Sequence, residues 1–367
     1  MKGRQVVIRE YGKPFEIHEY DVPDPRPGDI LLKVTQAGIC GSDLHTWRGD
    51  TENNPIPPQG RAMGHEGSGV VHKLGQGVTT DALGNPLHEG DRVIHTAIIP
   101  CHHCPQCLRG DHNLCVNRVL RTVGEFPYFI GTFADYYYVT PRQPVFKVPD
   151  ELADNVLGPV NCAMGTVTQG LTVAGAREGQ SVVIQGAGGL GLMATAMAKD
   201  MGADRVIVLD RLQNRLRLAE EFGADYTLNI EEYNTPETRI QRVKDLTRGR
   251  GADIVMELVG YAPLLPEGIA MLTNGGAFVE IGLFFSGQTV PFDPSTIVLT
   301  GKRIIGSVMY RPILMSTILD FLVRNHHKRP FHKLVSHQYK LEDVNEAFAQ
   351  AEWNQRQTQI TRAVLVP

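Results

Sequence analysis

The stretch that most restricts how this chain can fold is Gly186-Ala187-Gly188-Gly189-Leu190-Gly191, which follows the apolar run Ser181 to Gln185 and opens a helix-forming segment through Lys199. It fits G-x-G-x-x-G, in which glycines permit a tight turn, a close approach of backbone to a pyrophosphate and close packing of a helix on a strand. Glycine-rich turns also occur where nothing binds, so the context decides. Here a β-branched run, Arg205 to Leu209, follows the helical segment and ends in Asp210, near the position where an acid meets the adenosine ribose. Gly186, Gly188, Gly189, Leu190, Gly191 and Asp210 are therefore the candidate nucleotide-binding residues.

Around this unit the pattern changes character twice. From about Asn161 to Gly306, apolar strands at Val182–Ile184, Arg205–Leu209, Ile254–Leu258 and Ala277–Ile281 alternate with helical stretches such as Leu212–Phe222. That alternation reads as a parallel sheet with crossover helices. From Met1 to about Val148, glycine and proline break the chain into short β-prone runs at Gln5–Ile8, Ile30–Val34, Gly69–His72, Arg92–Ile94 and Tyr136–Val139. After Val308 come helical stretches at Leu314–Val323 and Leu341–Trp353 and a closing strand at Arg362–Val366. At 367 residues two domains are expected. Their spans read as 1–160, 161–308 for the nucleotide domain, and 309–367 returning to the first.

Bulk composition excludes several classes. Hydrophobic residues make up 42% and charged residues 21%, close to the globular average. A formal charge of -4 argues against nucleic acid or an anionic membrane as partner. Val6-Val7-Ile8 is interrupted at Arg9, so there is no secretory core, and no apolar span reaches a membrane-crossing length. A cytoplasmic protein acting on a small molecule is the expectation. In a reducing compartment, clustered cysteines point to metal rather than disulfides.

Cys101, Cys104, Cys107 and Cys115 fall within fifteen residues, in a lobe spanning about 95–118. Four thiolates satisfy zinc's preference for sulfur and leave no open position, which defines a structural site. Pro100, Pro105, Gly110, Asp111 and Asn113 describe an exposed loop with little core to bury the thiols as plain hydrophobes. His102, His103 and His112 lie within reach as substitutes, but the all-cysteine set is complete. Two further cysteines stand apart: Cys40, in Gly38-Ile39-Cys40-Gly41-Ser42-Asp43-Leu44-His45, and Cys162, in Asn161-Cys162-Ala163-Met164-Gly165-Thr166. His65 sits in Gly64-His65-Glu66-Gly67.

The order Cys-Gly-Ser-Asp with a nearby His, then Gly-His-Glu, then the four-cysteine loop, then the glycine turn, resembles the zinc-dependent alcohol dehydrogenases of the medium-chain dehydrogenase/reductase superfamily. The match covers nearly the whole chain. It implies an α/β protein with a GroES-like β-rich catalytic domain and a Rossmann domain, a doubly wound parallel sheet. Cys40 and His65 match the first two catalytic zinc ligands. Cys162 matches the segment where alcohol dehydrogenases supply a third and polyol dehydrogenases instead place a glutamate. Glu66 matches an acid beside the metal that coordinates it in some members, so either can complete the set. Ser42 and His45 match a relay that passes the alcohol proton through the cofactor ribose to solvent. Arg362 matches a pyrophosphate-binding residue.

The implied reaction is hydride transfer between a primary or secondary alcohol and NAD, giving aldehyde or ketone, with zinc in catalytic and structural sites. Asp210 repels a 2'-phosphate and favours NAD over NADP, although Arg211 and Arg215 could stack on adenine or bind that phosphate. A polyol or amino-alcohol dehydrogenase of the same superfamily is the close alternative, and a catalytically silent zinc-binding structural protein a more distant one. Trp47, Phe126, Tyr128, Phe284 and Phe285 are candidate pocket walls. The resemblance also implies a homodimer or homotetramer, joined at the strand Ala277–Ile281.

Overall fold

Strands buried on both faces read as unbroken apolar runs. Ser181–Gln185, Arg205–Asp210 and Ala252–Glu257 have that character and lie at the centre of a six-stranded sheet. The computed structural model describes residues 1–50, 55–118, 128–283, 286–352 and 360–367. It divides into two units. One comprises Met1–Gly165, Met309–Arg324 and Phe331–Pro367; the other comprises Thr166–Val308 and Asn325–Pro330. The passage from the first to the second falls inside a continuous helical run, Val160–Ala174, where no loop marks it in the sequence.

In the second unit the strands, taken across the sheet, are Tyr226–Asn229, Arg205–Asp210, Ser181–Gln185, Ala252–Glu257, Leu272–Glu280 and Arg303–Gly306, all parallel. In chain order that is third, second, first, fourth, fifth, sixth, the Rossmann arrangement, whose direction reverses between the first and fourth strands. The helices Gly189–Asp200, Gln213–Glu221, Pro236–Leu246 and Leu264–Met271 supply crossovers. Val183, Ile207, Leu209, Val255, Ile269 and Phe278 anchor one core cluster. The strand read from sequence as the joining strand, Ala277–Ile281, is not available for that: Leu272–Glu280 is paired on both sides. On that side the sheet ends at Arg303–Gly306, a short, largely exposed strand with only two apolar residues, Ile304 and Ile305, which is too brief a run for the hydrophobic pattern to reveal.

The first unit is β-rich and GroES-like. A seven-stranded sheet runs His337–Lys340, Ala363–Val366, Ile30–Gly38, Ser68–Leu74, Arg92–His95 and Val145–Lys147, with Tyr136–Val139 also paired to Ile30–Gly38. A three-stranded sheet holds Glu16–Asp21, Lys2–Ile8 and Arg61–Ala62. Its main core gathers Val6, Ile8, Leu32, Val34, Phe133 and Tyr137 with Val344 and Phe348 of the helix Val344–Ala351. That helix follows a tight turn at Leu341–Asp343, and Trp353, expected to end it, lies outside the described residues. Among the described residues no helix is long and apolar enough to cross a membrane.

The topology matters because it brings three strand ends together. Ile30–Gly38 runs antiparallel to Ser68–Leu74, with Gln36 opposite Ser68. The chain leaving the first strand into Cys40 therefore emerges beside the chain entering the second from His65 and Glu66. Ala363–Val366 is antiparallel on the other side, with Val364 opposite Gly38, which sets Arg362 next to them.

Candidate functional site

Cys40 ends the extended segment and caps the helix Gly41–Arg48, which carries Ser42, Asp43 and His45. His65 and Glu66 lie between a positive-φ glycine, Gly64, and the start of the strand Ser68–Leu74. Cys162 comes from a wide, π-helical turn at Val160–Met164 that leads into the helix Gly165–Ala174; such turns recur at functional sites. One ligand atom from each of Cys40, His65, Glu66 and Cys162 lies within 4.8 Å of the others. His65 Nε2 is 3.3 Å from Cys162 Sγ and 3.5 Å from Ser42 Oγ.

Neighbouring groups fix the ligands. Asp43 accepts the Cys40 amide at 2.9 Å and lies 3.3 Å from His65 Nδ1, leaving Nε2 to face the sulfurs. Asn161 accepts the Gly67 amide at 3.0 Å and donates to the His65 and His95 carbonyls. Tyr310 donates to the Asn161 carbonyl and accepts the Ala97 amide at 3.1 Å. Arg362 Nη1 lies 3.2 Å from both Glu66 oxygens and donates to the Ile39 carbonyl. Glu66 Oε1, despite that proximity, receives no directed hydrogen bond and is fully buried.

The donor set fits zinc. Two thiols, an imidazole and a carboxylate are the residue types zinc takes, and three of them leave a position open. Without a cation, the set divides its protons unevenly. Contact with the Cys162 thiol, aided by His65, pulls Cys40 well below the ordinary thiol range. The same contact and burial push Cys162 up. Burial pushes Glu66 up to about 8 against the opposing pull of Arg362. A bound dication reverses this ordering, since ligands bind deprotonated.

The second cluster is Cys101, Cys104, Cys107 and Cys115, again with sulfurs within 4.8 Å of one another. They are buried as a group of their own, so the lobe is held around them. The helix Pro105–Leu108 begins at Cys104, and backbone amides already point at sulfur: Cys104 to Cys101 at 3.3 Å and Cys101 to Cys115 at 3.2 Å. Such amides stabilise thiolate charge. His102 turns away to the Arg142 carbonyl at 2.7 Å.

His45 Nδ1 lies 2.8 Å from Asp50 and 2.9 Å from Arg48, whose other nitrogen pairs with Glu352 at 2.9 Å. Burial lowers the His45 pKa although Asp50 opposes it. Of the candidate pocket walls, Trp47 donates to the Lys13 carbonyl and packs on Phe348, and Tyr128 stacks on Tyr20. Phe126, Phe284 and Phe285 lie outside the described residues. The apolar side chain that does lie against Cys40, Ala97 and Cys162 is Met309, whose φ of 52° is unusual for a residue with a side chain. Nothing in its local sequence signalled it.

In the second unit the glycine turn has the shape its sequence requires. Gly186 has φ 101°, and a Cβ on Gly191 would stand 1.9 Å from the Gly186 carbonyl, so the helix Gly189–Asp200 starts tight on the strand. A Cβ on Gly188 would meet nothing within 4 Å, which leaves room over the helix N-terminus for an anion. Asp210 accepts the Ala187 and Leu212 amides at 2.8 Å each, so the acid is tied to the turn itself. Arg215 is half-buried near Asp210 and Arg211. These residues are in the second unit, whereas Arg362 is in the first, at Glu66.

The chain matches the alcohol dehydrogenase GroES-like domain over residues 26–150 and the zinc-binding dehydrogenase family over residues 189–324. It is 31% identical to the 5-exo-hydroxycamphor dehydrogenase of Pseudomonas putida over 346 residues, 94% of each chain. It is 37% identical to the L-threonine 3-dehydrogenase of Pyrococcus furiosus over 290 residues, 77% of this chain and 76% of that one. An alcohol dehydrogenase of Thermotoga maritima superposes over all of both chains with a TM-score of 0.92 at 31% identity. The chain belongs to the zinc-binding alcohol dehydrogenase family of the medium-chain dehydrogenase/reductase superfamily. As such it is a zinc-type, nicotinamide-dependent oxidoreductase acting on alcohol-type substrates.

Proposed function

We propose that the protein is a zinc- and NAD-dependent alcohol dehydrogenase that oxidises a primary or secondary alcohol to aldehyde or ketone. The observation that carries this reading is the buried cluster of Cys40, His65, Glu66 and Cys162 with Ser42 beside it. Cys40, His65 and Cys162 would hold the catalytic ion, with Glu66 able to exchange for Cys162; the four-cysteine lobe would hold the structural one. Zinc supplies a Lewis acid that lowers the pKa of an alcohol hydroxyl toward neutrality.

The protein's own groups do the rest. Ser42 takes the hydroxyl proton and His45, kept neutral by burial, passes it on. Met309 provides the apolar side chain at the substrate's carbon. The turn Gly186–Gly191 holds the dinucleotide phosphates, Asp210 holds the adenosine ribose and repels a 2'-phosphate, and Arg211, Arg215 and Arg362 contribute positive charge to the cofactor. NAD held by these residues would supply the two-electron acceptor for the alcohol carbon's hydride, while Ser42 and His45 account for the hydroxyl proton, so the two-electron balance closes. Assembly as a homodimer or homotetramer would use the open edge Arg303–Gly306.

One observation favours a second reading: the Glu66 carboxylate lies within the ligand cluster, as suits a polyol or amino-alcohol dehydrogenase, and the Pyrococcus furiosus relative is named an L-threonine 3-dehydrogenase. The deciding experiment is zinc content together with NADH formation on a panel of simple alcohols, polyols and amino alcohols. Two zinc ions per chain and turnover of simple alcohols support the first reading. Turnover confined to polyols or amino alcohols supports the second, and two zinc ions with no turnover overturn both.

A further inference from the structure

The carboxyl ends of the fourth and fifth strands of the second unit carry two acids in direct register, Glu257 and Glu280. Residues in register on parallel neighbours point to the same face. Glu257 is completely buried and Glu280 half-buried. Each uses one oxygen to hold the loop that follows its strand. Glu257 Oε1 accepts the Val259 and Gly260 amides at 2.8 Å each, and Glu280 Oε1 accepts the Leu283 amide at 3.1 Å. The Glu257 carbonyl also takes the Ile281 and Gly282 amides, tying the two loops together.

The remaining oxygens, Glu257 Oε2 and Glu280 Oε2, are buried acceptors with no donor among the described residues, on side chains that the register sets next to each other on one face. Two facing carboxylate oxygens need one hydrogen between them, and burial with a like charge keeps one carboxyl protonated. Among the described residues, the register neighbours supply no competing charge. The register neighbour from the first strand is the neutral Gln185, and from the sixth strand it is Gly306. The nearby helix Leu264–Met271 carries Glu267, which is occupied by Arg239 at 2.7 Å.

The loops so held border the place where the strand order reverses, outside the first and fourth strands, where open α/β sheets bind their ligands. Leu258 donates to the Gln185 carbonyl at 3.1 Å, and a Cβ on Gly186 would stand 2.7 Å from Val259. Val259 and Tyr261 are 52% and 56% exposed there. A Cβ on Gly282 would stand 2.3 Å from Glu257 Oε2, so the second loop closes directly on the pair.

We propose that Glu257 and Glu280 share a single proton, and that this proton is a positioning device which keeps the loops Leu258–Gly260 and Ile281–Leu283 in their dinucleotide-binding shape. The proposal rests on the reading of this unit as the cofactor domain. With the proton present the pair carries one negative charge and a hydrogen bond; without it, two buried negative charges face each other and the loops are pushed apart. Burial and Glu280 push Glu257 up to about 8, which places loss of the proton in the mildly alkaline range.

The test is titration of the purified enzyme with NADH, followed by nucleotide fluorescence, at pH 7 and pH 9.5. If only the protonated pair binds, the wild-type Kd rises about thirtyfold between these pH values. Glu280→Gln supplies a permanent amide donor to Glu257, so it should keep the tighter binding at pH 7 and lose most of the rise. Glu257→Gln serves the same purpose with the roles reversed should Glu280→Gln not fold. A rise of the same size in wild type and in the Gln variant overturns the proposal, as does a pH-independent wild-type Kd. A wild type that binds no NADH at any pH overturns instead the cofactor-domain reading beneath it.

Discussion

Asp43 Oδ1 lies 3.3 Å from Nδ1 of His65 while its other oxygen accepts the amide of Cys40 at 2.9 Å, so one carboxylate orients two proposed metal ligands that are distant in sequence. Both contacts are lost in Asp43→Ala with the ligands themselves intact. Groups that orient ligands in this way are worth about 10–100-fold in metal affinity. Competition with a chromogenic chelator should show a weakening of that size for one of two zinc equivalents, the other unaffected. Equal affinity in variant and wild type would show that Asp43 does not serve the metal.

The four-cysteine lobe makes an independent prediction. Its thiols are buried chiefly against each other, so the metal rather than a hydrophobic core should hold it. Cys107→Ser is expected to remove one zinc equivalent and to lower Tm, because structural zinc contributes on the order of 10 kcal/mol to small units. Metal analysis alongside thermal unfolding checks both; unchanged stoichiometry contradicts the assignment.

Asp210 accepts the Ala187 amide, so on the proposed reading it would govern cofactor choice both through its charge and through the turn. Asp210→Ala should lower kcat/KM with NAD and raise the relative use of NADP. A change of about ten- to a hundredfold in the ratio corresponds to about 1.4–2.8 kcal/mol. A wild type that already prefers NADP would refute the role given to this acid.

How much could be read beforehand depended on whether a signal was local. The glycine turn, Asp210 and both cysteine groups announce themselves because their chemistry demands fixed residue types at short spacing. The central strands Ser181–Gln185 and Arg205–Asp210 did so because burial on both faces leaves an unbroken apolar run. Edge elements give no such run: Glu16–Asp21 is polar and largely exposed, and Arg303–Gly306 is largely exposed with only two consecutive apolar residues. The strand Arg303–Gly306 gives no such signal, and Ala277–Ile281, an apolar run, lies inside the sheet rather than at its edge. Met309, Asn161 and Tyr310 pack or hydrogen-bond around the Cys40, His65 and Cys162 cluster, through long-range contacts that a residue's neighbours in sequence do not encode. The pairing of Glu257 with Glu280 is likewise a product of strand register.

His45 gives a pH-dependent prediction whose sign follows from its surroundings. Burial lowers its pKa below the ordinary 6.5, with Asp50 opposing. Above 6.5 the imidazole is neutral folded or unfolded and its contribution to stability is complete. As pH falls below 6.5 the unfolded chain takes up a proton that the folded protein resists, so stability is lost until the folded pKa is passed. Replacing His45 with Asn removes that slope, and the stability gap between wild type and variant should narrow from pH 7 to pH 5 in denaturant titrations. In catalysis the neutral ring persists below 6.5, so the acid limb of wild-type kcat/KM that belongs to His45 should lie below that value. His45→Asn should erase the limb and reduce kcat/KM by about 10²–10⁴-fold, the usual weight of a positioned proton carrier. A variant with wild-type kcat/KM and an unaltered limb would remove His45 from the relay and leave it the structural partner of Asp50 and Arg48.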